Sequence, residues 1–393
     1  MTEEEKIKRA QGYLKERHLD GWLLYDFHRN NDLAHLFLNI PASRIATRRF
    51  FYWIPVQGKP IKLVHAIEAH MLDGVPGEKK IYSSWQSLEQ HLGEILQGKK
   101  RIAMEFSPKN AIPYVSKVDG GTIDLVRSFH VEVVSSADFL LNFTSVIDEE
   151  QAKSHIRANR ALLEILEGTW QLVGKLQLAN EWDVQQHLLA EFKQRNLITD
   201  SPPIVGVNAH SADPHFETVQ KGASPIRKGD FILIDLWAKE KGERAVFGDL
   251  TRVAVMASSP TPKQQEVFQA VRNGQKAAIA LVKERFQAKK PIQGWEVDEA
   301  ARSSIRKAGY GDYFTHRTGH NIEMHVHGSG THMDNLEMHD VRPLLPMTCF
   351  SIEPGIYLPG EFGVRLETDL WITKDGKVEI TGGEEDHLRC LLS

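Results

Sequence analysis

Cysteine is scarce: Cys349 and Cys390 are the only two in 393 residues. That excludes a disulfide framework and makes a reducing cytoplasm the expected compartment. Cys349 falls in an apolar run and reads as a small core residue. An excess of charge of one sign is missing as well. The chain carries 48 basic and 52 acidic residues, a net charge of −4, and no long basic run. Neither nucleic acid nor a membrane surface is an expected partner. No apolar run approaches the ~18 residues of a membrane span. The opening MTEEEKIKRA is too polar to be expected to act as a signal peptide. Internal repeats and low-complexity stretches are lacking too. The remainder is an ordinary globular composition, 41% hydrophobic and 25% charged, with room for two or three domains.

Residues 1–145 mix helical and strand-like patterns. EEEKIKRAQGYLKERHL has helical spacing, whereas GWLLYDF, RFFYWIPV, KPIKLVHA, KRIAMEF and VEVVSS read as strands. This is an expected α/β domain with no Gly-rich phosphate loop. Its His28, His35 and His65 read as surface or core polar residues. A second domain is expected over 146–393. It starts with a long amphipathic helix, for which Asp148 is the N-cap candidate. A second helix, NEWDVQQHLLAEFKQRNL, is followed by strand-like SPPIVGVN. DFILIDLWA and VFGDLTRVAVM then suggest a hairpin joined by KEKGERA. Two more helices lead to strand-like PMTCFSIEPGIY and GVRLETDLWIT. Helices interleaved with hairpins indicate an α+β class.

Lone acids interrupt these apolar runs: Asp235 in FILIDLWA, Glu353 in FSIEPGIY and Glu367 in GVRLETDLWI. A bare carboxylate is costly to bury without a cation, a hydrogen-bond network or a proton. Several at once favour a shared cation. Strand alternation puts Asp235 on the face of Leu233 and Trp237, and Asp249 on that of Thr251 and Val253. If the two strands pair, both aspartates converge on one face. Glu367 shares a face with Arg365, as an ion pair or beside a substrate-facing arginine. His316 and His320 have the i, i+4 spacing of a helical zinc pair. Arg317, however, stands where such a helix needs its glutamate, and Gly319 disfavours a helix.

Taken in order, VNAHSADPHF, DLTRV, HRTGHNIEMHVH, FSIEPGIY and GVRLETD resemble the pita-bread metallopeptidases. These include Xaa-Pro aminopeptidases, prolidases (Xaa-Pro dipeptidases), methionine aminopeptidases and creatinase. The resemblance implies a pita-bread catalytic domain, 146–393, behind a smaller creatinase-like N-terminal α/β domain, 1–145. It implies metal ligation by Asp235, Asp249, His320, Glu353 and Glu367, with Asp249 and Glu367 bridging. It places His215 and His327 over the cleft, facing substrate, with Arg365 on the same wall, and gives Glu353 a second role in proton transfer. Three departures stand out. Gly319-His320-Asn321-Ile322-Glu323 replaces the usual Gly-His-Gly-Ile-Gly. Gly328 replaces an acid. Thirteen residues, not about ten, separate Asp235 from Asp249.

Oxygen ligands with one imidazole suit two divalent ions, Mn²⁺ first, with Co²⁺ or Zn²⁺ also feasible. Such a pair activates water for peptide hydrolysis. The expected substrate is a peptide with proline second, cut by an aminopeptidase or a dipeptidase. The expected assembly is a homodimer. The alternatives are a metal-dependent hydrolase of a non-peptide substrate, which Glu323 and Gly328 motivate, and a non-catalytic binding protein on this fold.

Overall fold

The computed structural model describes residues 2–41 and 43–392. The chain divides into two compact units, Met1–Thr144 and Ser145–Ser393.

In the first unit the order is α1 (Glu3–Glu16), β1 (Gly21–Asp26), α2 (Asp32–Phe37), β2 (Phe50–Pro55), β3 (Ile61–His65), β4 (Glu78–Tyr82), α3 (Trp85–Leu96), β5 (Arg101–Met104), α4 (Gly120–Arg127), β6 (Glu132–Ser135) and α5 (Ala137–Thr144). One sheet runs β4-β3-β2-β1-β5-β6. The sequence reading has no strand at β4. Glu78, Lys79 and Lys80 hide it, and such charges suit its place at the sheet edge. His35 is buried against Asp26 at 2.9 Å. Glu105 is buried at the end of β5. It accepts from Trp22 Nε1, from Asn31 Nδ2 at 2.9 Å and from Ser136 Oγ at 3.2 Å. Burial pushes its carboxyl up to about 7.

The second unit opens with α6 (Glu149–Gly174), where Asp148 and Gln151 form a capping box. Then come α7 (Glu181–Gln194), β7 (Leu197–Ile198), β8 (Ile204–Val207), β9 (Phe231–Glu240), β10 (Gly248–Val255), α8 (Pro262–Gln287) and α9 (Gly294–Lys307). The rest is β11 (Asn321–Ile322), β12 (Cys349–Ile352), β13 (Gly355–Leu358), β14 (Phe362–Arg365), β15 (Thr368–Ile372), β16 (Val378–Ile380) and β17 (Arg389–Cys390). One sheet is ordered β17-β10-β9-β7, with β8 also on β9. A second runs β11-β12-β15-β16, and β13 pairs with β14. No helix among the described residues is long and apolar enough to cross a membrane.

Alternation along β9 explains where the site lies. Ile232, Ile234, Leu236 and Ala238 pack with Leu162, Leu166 and Trp170 of α6 and Val184 and Leu188 of α7. The opposite face begins with Phe231 and Leu233, which join the core formed with α8 and α9. That face continues to Asp235 and Trp237. On β10, Val253 and Val255 likewise join this core, while Thr251 and Asp249 follow on the same face. One sheet face is thus greasy at one end and polar at the other. The polar end is the site.

Candidate active site

β9 and β10 pair antiparallel, with Asp235 opposite Thr251 and Trp237 opposite Asp249. Directly opposed residues share a face, so both aspartates lie on one side. The second sheet supplies the rest. β12 leads into Glu353 and lies antiparallel to β15, which follows Glu367. His320 precedes β11, and its N–H donates to Ser351 Oγ at 3.0 Å. Gly319 permits that approach, because a Cβ there would stand 2.0 Å from the Ser351 carbonyl oxygen.

Asp249, His320 and Glu367 each present a ligand atom within 4.8 Å of the others. His320 Nε2 lies 3.5 Å from Asp249 Oδ2 and 3.3 Å from Glu353 Oε1. Thr251 Oγ1 joins Asp235 Oδ1 at 2.8 Å to Glu367 Oε2 at 2.7 Å. All five residues line one cavity of about 630 Å³, together with His215, His327 and Arg365. Both cleft histidines are exposed there, and the His327 ring meets that of His320 edge-on at 4.4 Å.

Arg365 stands on the expected wall, and of its two readings, ion pair or substrate-facing arginine, the contacts are those of an ion pair. It lines the cavity but is 5% exposed. Its guanidinium pairs with Asp235 and donates to Thr251 Oγ1 at 3.0 Å, to the Pro214 carbonyl at 3.1 Å and to Tyr357 Oη at 3.2 Å. It orients Asp235 and does not reach outward. The helical zinc pair does not form. Residues 316–320 are not helical, and His316 Nε2 contacts Tyr357 Oη at 2.7 Å. Burial, then Arg365, pulls the His316 imidazole down to about 3.

Sequence reasoning missed Tyr357, Thr251 and a buried support behind Asp249. Asp369 Oδ2 accepts from the Asp249 N–H and from Asn159 Nδ2, each at 2.9 Å. Asp369 is itself a lone acid in an apolar strand, two residues past Glu367; that pattern was its signal. Glu323 does not line the cavity. It is 2% exposed and accepts from the Ser329 N–H at 2.7 Å. A Cβ on Gly328 would come within 2.3 Å of Asn321 Oδ1 and 2.5 Å of Glu323 Oε1. Two of the departures thus compensate one another: Gly328 makes room for Asn321 and Glu323.

The electrostatics fit divalent cations. Burial, followed by Glu367, raises Asp249 well above the ordinary carboxylate range; burial, followed by Glu353, does the same for Glu367. Burial pushes Glu353 up to about 7. Asp249 Oδ1 is buried with no hydrogen-bond partner. His320 Nδ1 is 3.3 Å from its neighbour's carbonyl, that of Asn321. A proton held there leaves an Nε2 lone pair facing two carboxylates, which repels unless a cation lies between them. Burial drives the imidazole pKa well down, so His320 does not supply that positive charge itself.

This fold and this acidic site define a metal-dependent hydrolase class. The chain belongs to metallopeptidase family M24, whose profile matches residues 149–374. It is 36% identical over 183 residues to the Xaa-Pro dipeptidase of Lactobacillus helveticus, covering 47% of this chain and 45% of that protein. It is 34% identical over 185 residues to the Xaa-Pro dipeptidase of Pyrococcus furiosus, covering 47% and 48%. The matched stretch is therefore about half the length of these relatives. Two solved structures share the fold over nearly the whole chain. Dipeptidase PepE from Mycobacterium ulcerans has a TM-score of 0.72 at 21% identity, covering 100% of this chain and 98% of that one. The recombinant prolidase from Thermococcus sibiricus has 0.67 at 22%, covering 99% of each. The architecture is the expected α+β pita-bread fold with its N-terminal domain.

Proposed function

We propose that this chain is a metal-dependent exopeptidase that cleaves the bond between an N-terminal residue and a following proline. The observation that carries this reading is the meeting of Asp235, Asp249, His320, Glu353 and Glu367 in one cavity, with a buried Asp249 oxygen left unpartnered. Family membership and the names of the relatives, Xaa-Pro dipeptidases, support it.

In this reading the five residues hold two divalent ions, Mn²⁺ first, which when bound supply Lewis acidity toward a carbonyl and acidify water. The chain's own residues do the rest. Glu353, which accepts from Ser351 Oγ at 3.1 Å and lies 3.3 Å from His320 Nε2, is placed to take a proton and pass it to the leaving amine. His327 and His215, exposed in the cavity, hydrogen-bond the substrate and the oxyanion that develops on its carbonyl. Arg365 and Thr251 fix the Asp235 carboxylate. Trp237, Phe216, Pro203 and Val326 form apolar walls that shield the reacting bond from bulk water.

The proposal includes a catalytic domain of 146–393, a cytoplasmic setting and a homodimer. The test is manganese-loaded protein assayed with Xaa-Pro dipeptides and Xaa-Pro-Yaa tripeptides. Turnover of the tripeptide alone marks an aminopeptidase, and of the dipeptide alone a dipeptidase. Turnover of neither, with bound metal verified by elemental analysis, eliminates the proposal. With Glu323 turned toward Ser329 and away from the cavity, the main motive for a non-peptide substrate falls away.

A further inference from the structure

The strand that borders β9 is broken. Ile198 of β7 faces Lys239, and Ile204 of β8 faces Asp235. Five residues, 199–203, therefore span only three positions of β9, 236–238. Pro202 and Pro203 lack the N–H groups that would continue the ladder. The surplus chain bulges outward, and Asp200, Ser201, Pro202 and Pro203 line the cavity.

The bulge presents a carboxylate. Asp200 is exposed, and its Oδ1 accepts from Trp237 Nε1 at 2.7 Å. Trp237 in turn stands opposite Asp249. Two strand spacings thus separate the Asp249 backbone from this edge, ~10 Å. That suits the end of a long side chain on a residue whose carbonyl lies at the ligand cluster. The local charge is one-sided. Glu217 also lines the cavity. Among the described residues, neither Asp200 nor Glu217 forms an ion pair, and no lysine lines the cavity. Arg365, the cation in the wall, is committed to Asp235. Nearby Lys239 donates to the Met324 carbonyl at 2.6 Å and lies over the Phe247 ring.

We infer that Asp200, held by the Trp237 indole at the cavity wall, is a specificity residue that selects substrates with a basic N-terminal side chain, lysine or arginine. The inference rests on the peptidase reading for its substrate class. Its physical basis is a charge-assisted hydrogen bond from the side chain to an anchored carboxylate, with a second acid and, among the described residues, no lysine in the cavity lining.

The test compares Arg-Pro, norleucyl-Pro and Glu-Pro, each as the dipeptide and as the tripeptide ending in alanine, on the manganese-loaded wild type, D200N and D200K. It also measures, by calorimetry, the binding of argininamide and norleucinamide to the same proteins. The wild type is expected to favour arginine over norleucine by about tenfold in kcat/KM and in binding. D200N brings both ratios toward one, D200K favours the glutamyl substrate over the arginyl one, and raised salt weakens the wild-type preference. A wild-type ratio near one, or D200N reducing both substrates by the same factor, overturns the inference. If no peptide is turned over while metal is bound, the peptidase reading fails, and the ratio of the two amides still decides the role of Asp200.

Discussion

Replacing Asp249 with asparagine should have opposite effects on stability with and without metal. In the metal-free protein Asp249 is 4% exposed, one of its oxygens has no partner, and Glu367, Asp235, Asp369 and Glu353 all oppose its charge. An uncompensated buried polar group costs about 1–3 kcal/mol. D249N keeps a polar amide there but removes the charge and its repulsion by four carboxylates at nearly constant volume, so the chelator-treated variant should be more stable than wild type by about 1–2 kcal/mol. For a unit of this size about 1 kcal/mol moves the midpoint by roughly 2–4 °C, an upward shift of several degrees. Metal reverses the order. An ion at a hundredfold excess over its dissociation constant stabilises the native state by about 2.7 kcal/mol, or roughly 5–10 °C. D249N should lose most of that gain. Differential scanning calorimetry of both proteins, with chelator and with excess Mn²⁺, gives the four midpoints. The curves should cross: variant higher without metal, wild type higher with it. A variant that melts below wild type in chelator would show that the carboxylate is already satisfied by the protein. A variant with an undiminished manganese shift would show that Asp249 is no ligand.

Three further outcomes are expected. H327A should retain its metal content by elemental analysis yet lose about 10²–10³-fold in kcat; a parallel loss of metal would assign His327 to ligation. G328A should destabilise by about 1–3 kcal/mol in urea unfolding, because its Cβ collides with Asn321 and Glu323. E323G should relieve part of that cost, and strict additivity of the two changes would refute the compensation. Glu105 imposes a pH slope on the first unit. Its folded-state carboxyl near 7 lies above the ordinary glutamate value of 4.5, so its contribution is full below about 4.5 and is lost as pH rises through 7. Urea midpoints should therefore fall between pH 5 and 8, by at most about 3 kcal/mol, and E105Q should flatten that fall; a wild-type midpoint that rises there contradicts it.

The elements that carry the site were legible because period-two alternation survives in β9, β10 and β15. A single acid in each apolar run identified Asp235, Glu353 and Glu367 as residues needing compensation. Partners far apart in sequence were not legible. Arg365 lies two residues before Glu367, which suggested a pair between them, yet its guanidinium crosses to Asp235 on another sheet. His316 misled through spacing alone: i, i+4 means a shared face only if a helix forms, and Gly319 and the Thr318 and Ser351 contacts hold the segment extended. Glu323 looked like an intruder because its compensation, Gly328, appears only once the 321–330 loop is folded back on itself. Asp200 carried no signal at all, since only the mismatch between β7 and β8 along β9 turns it toward the cavity.

The hairpin ladder stops at Ala238 and Gly248; Lys239 and Glu240 still pair with β7, and Val246 and Phe247 are buried, which leaves the exposed residues 241–244 as an overhang. Residues can be added or removed in that overhang while Asp235 and Asp249 stay where they are. For anyone scanning genomes for distant cousins, the interval between the two acids is therefore a poor fingerprint. What evolution must keep is their parity, each acid an even number of steps from the valine or leucine that anchors its strand.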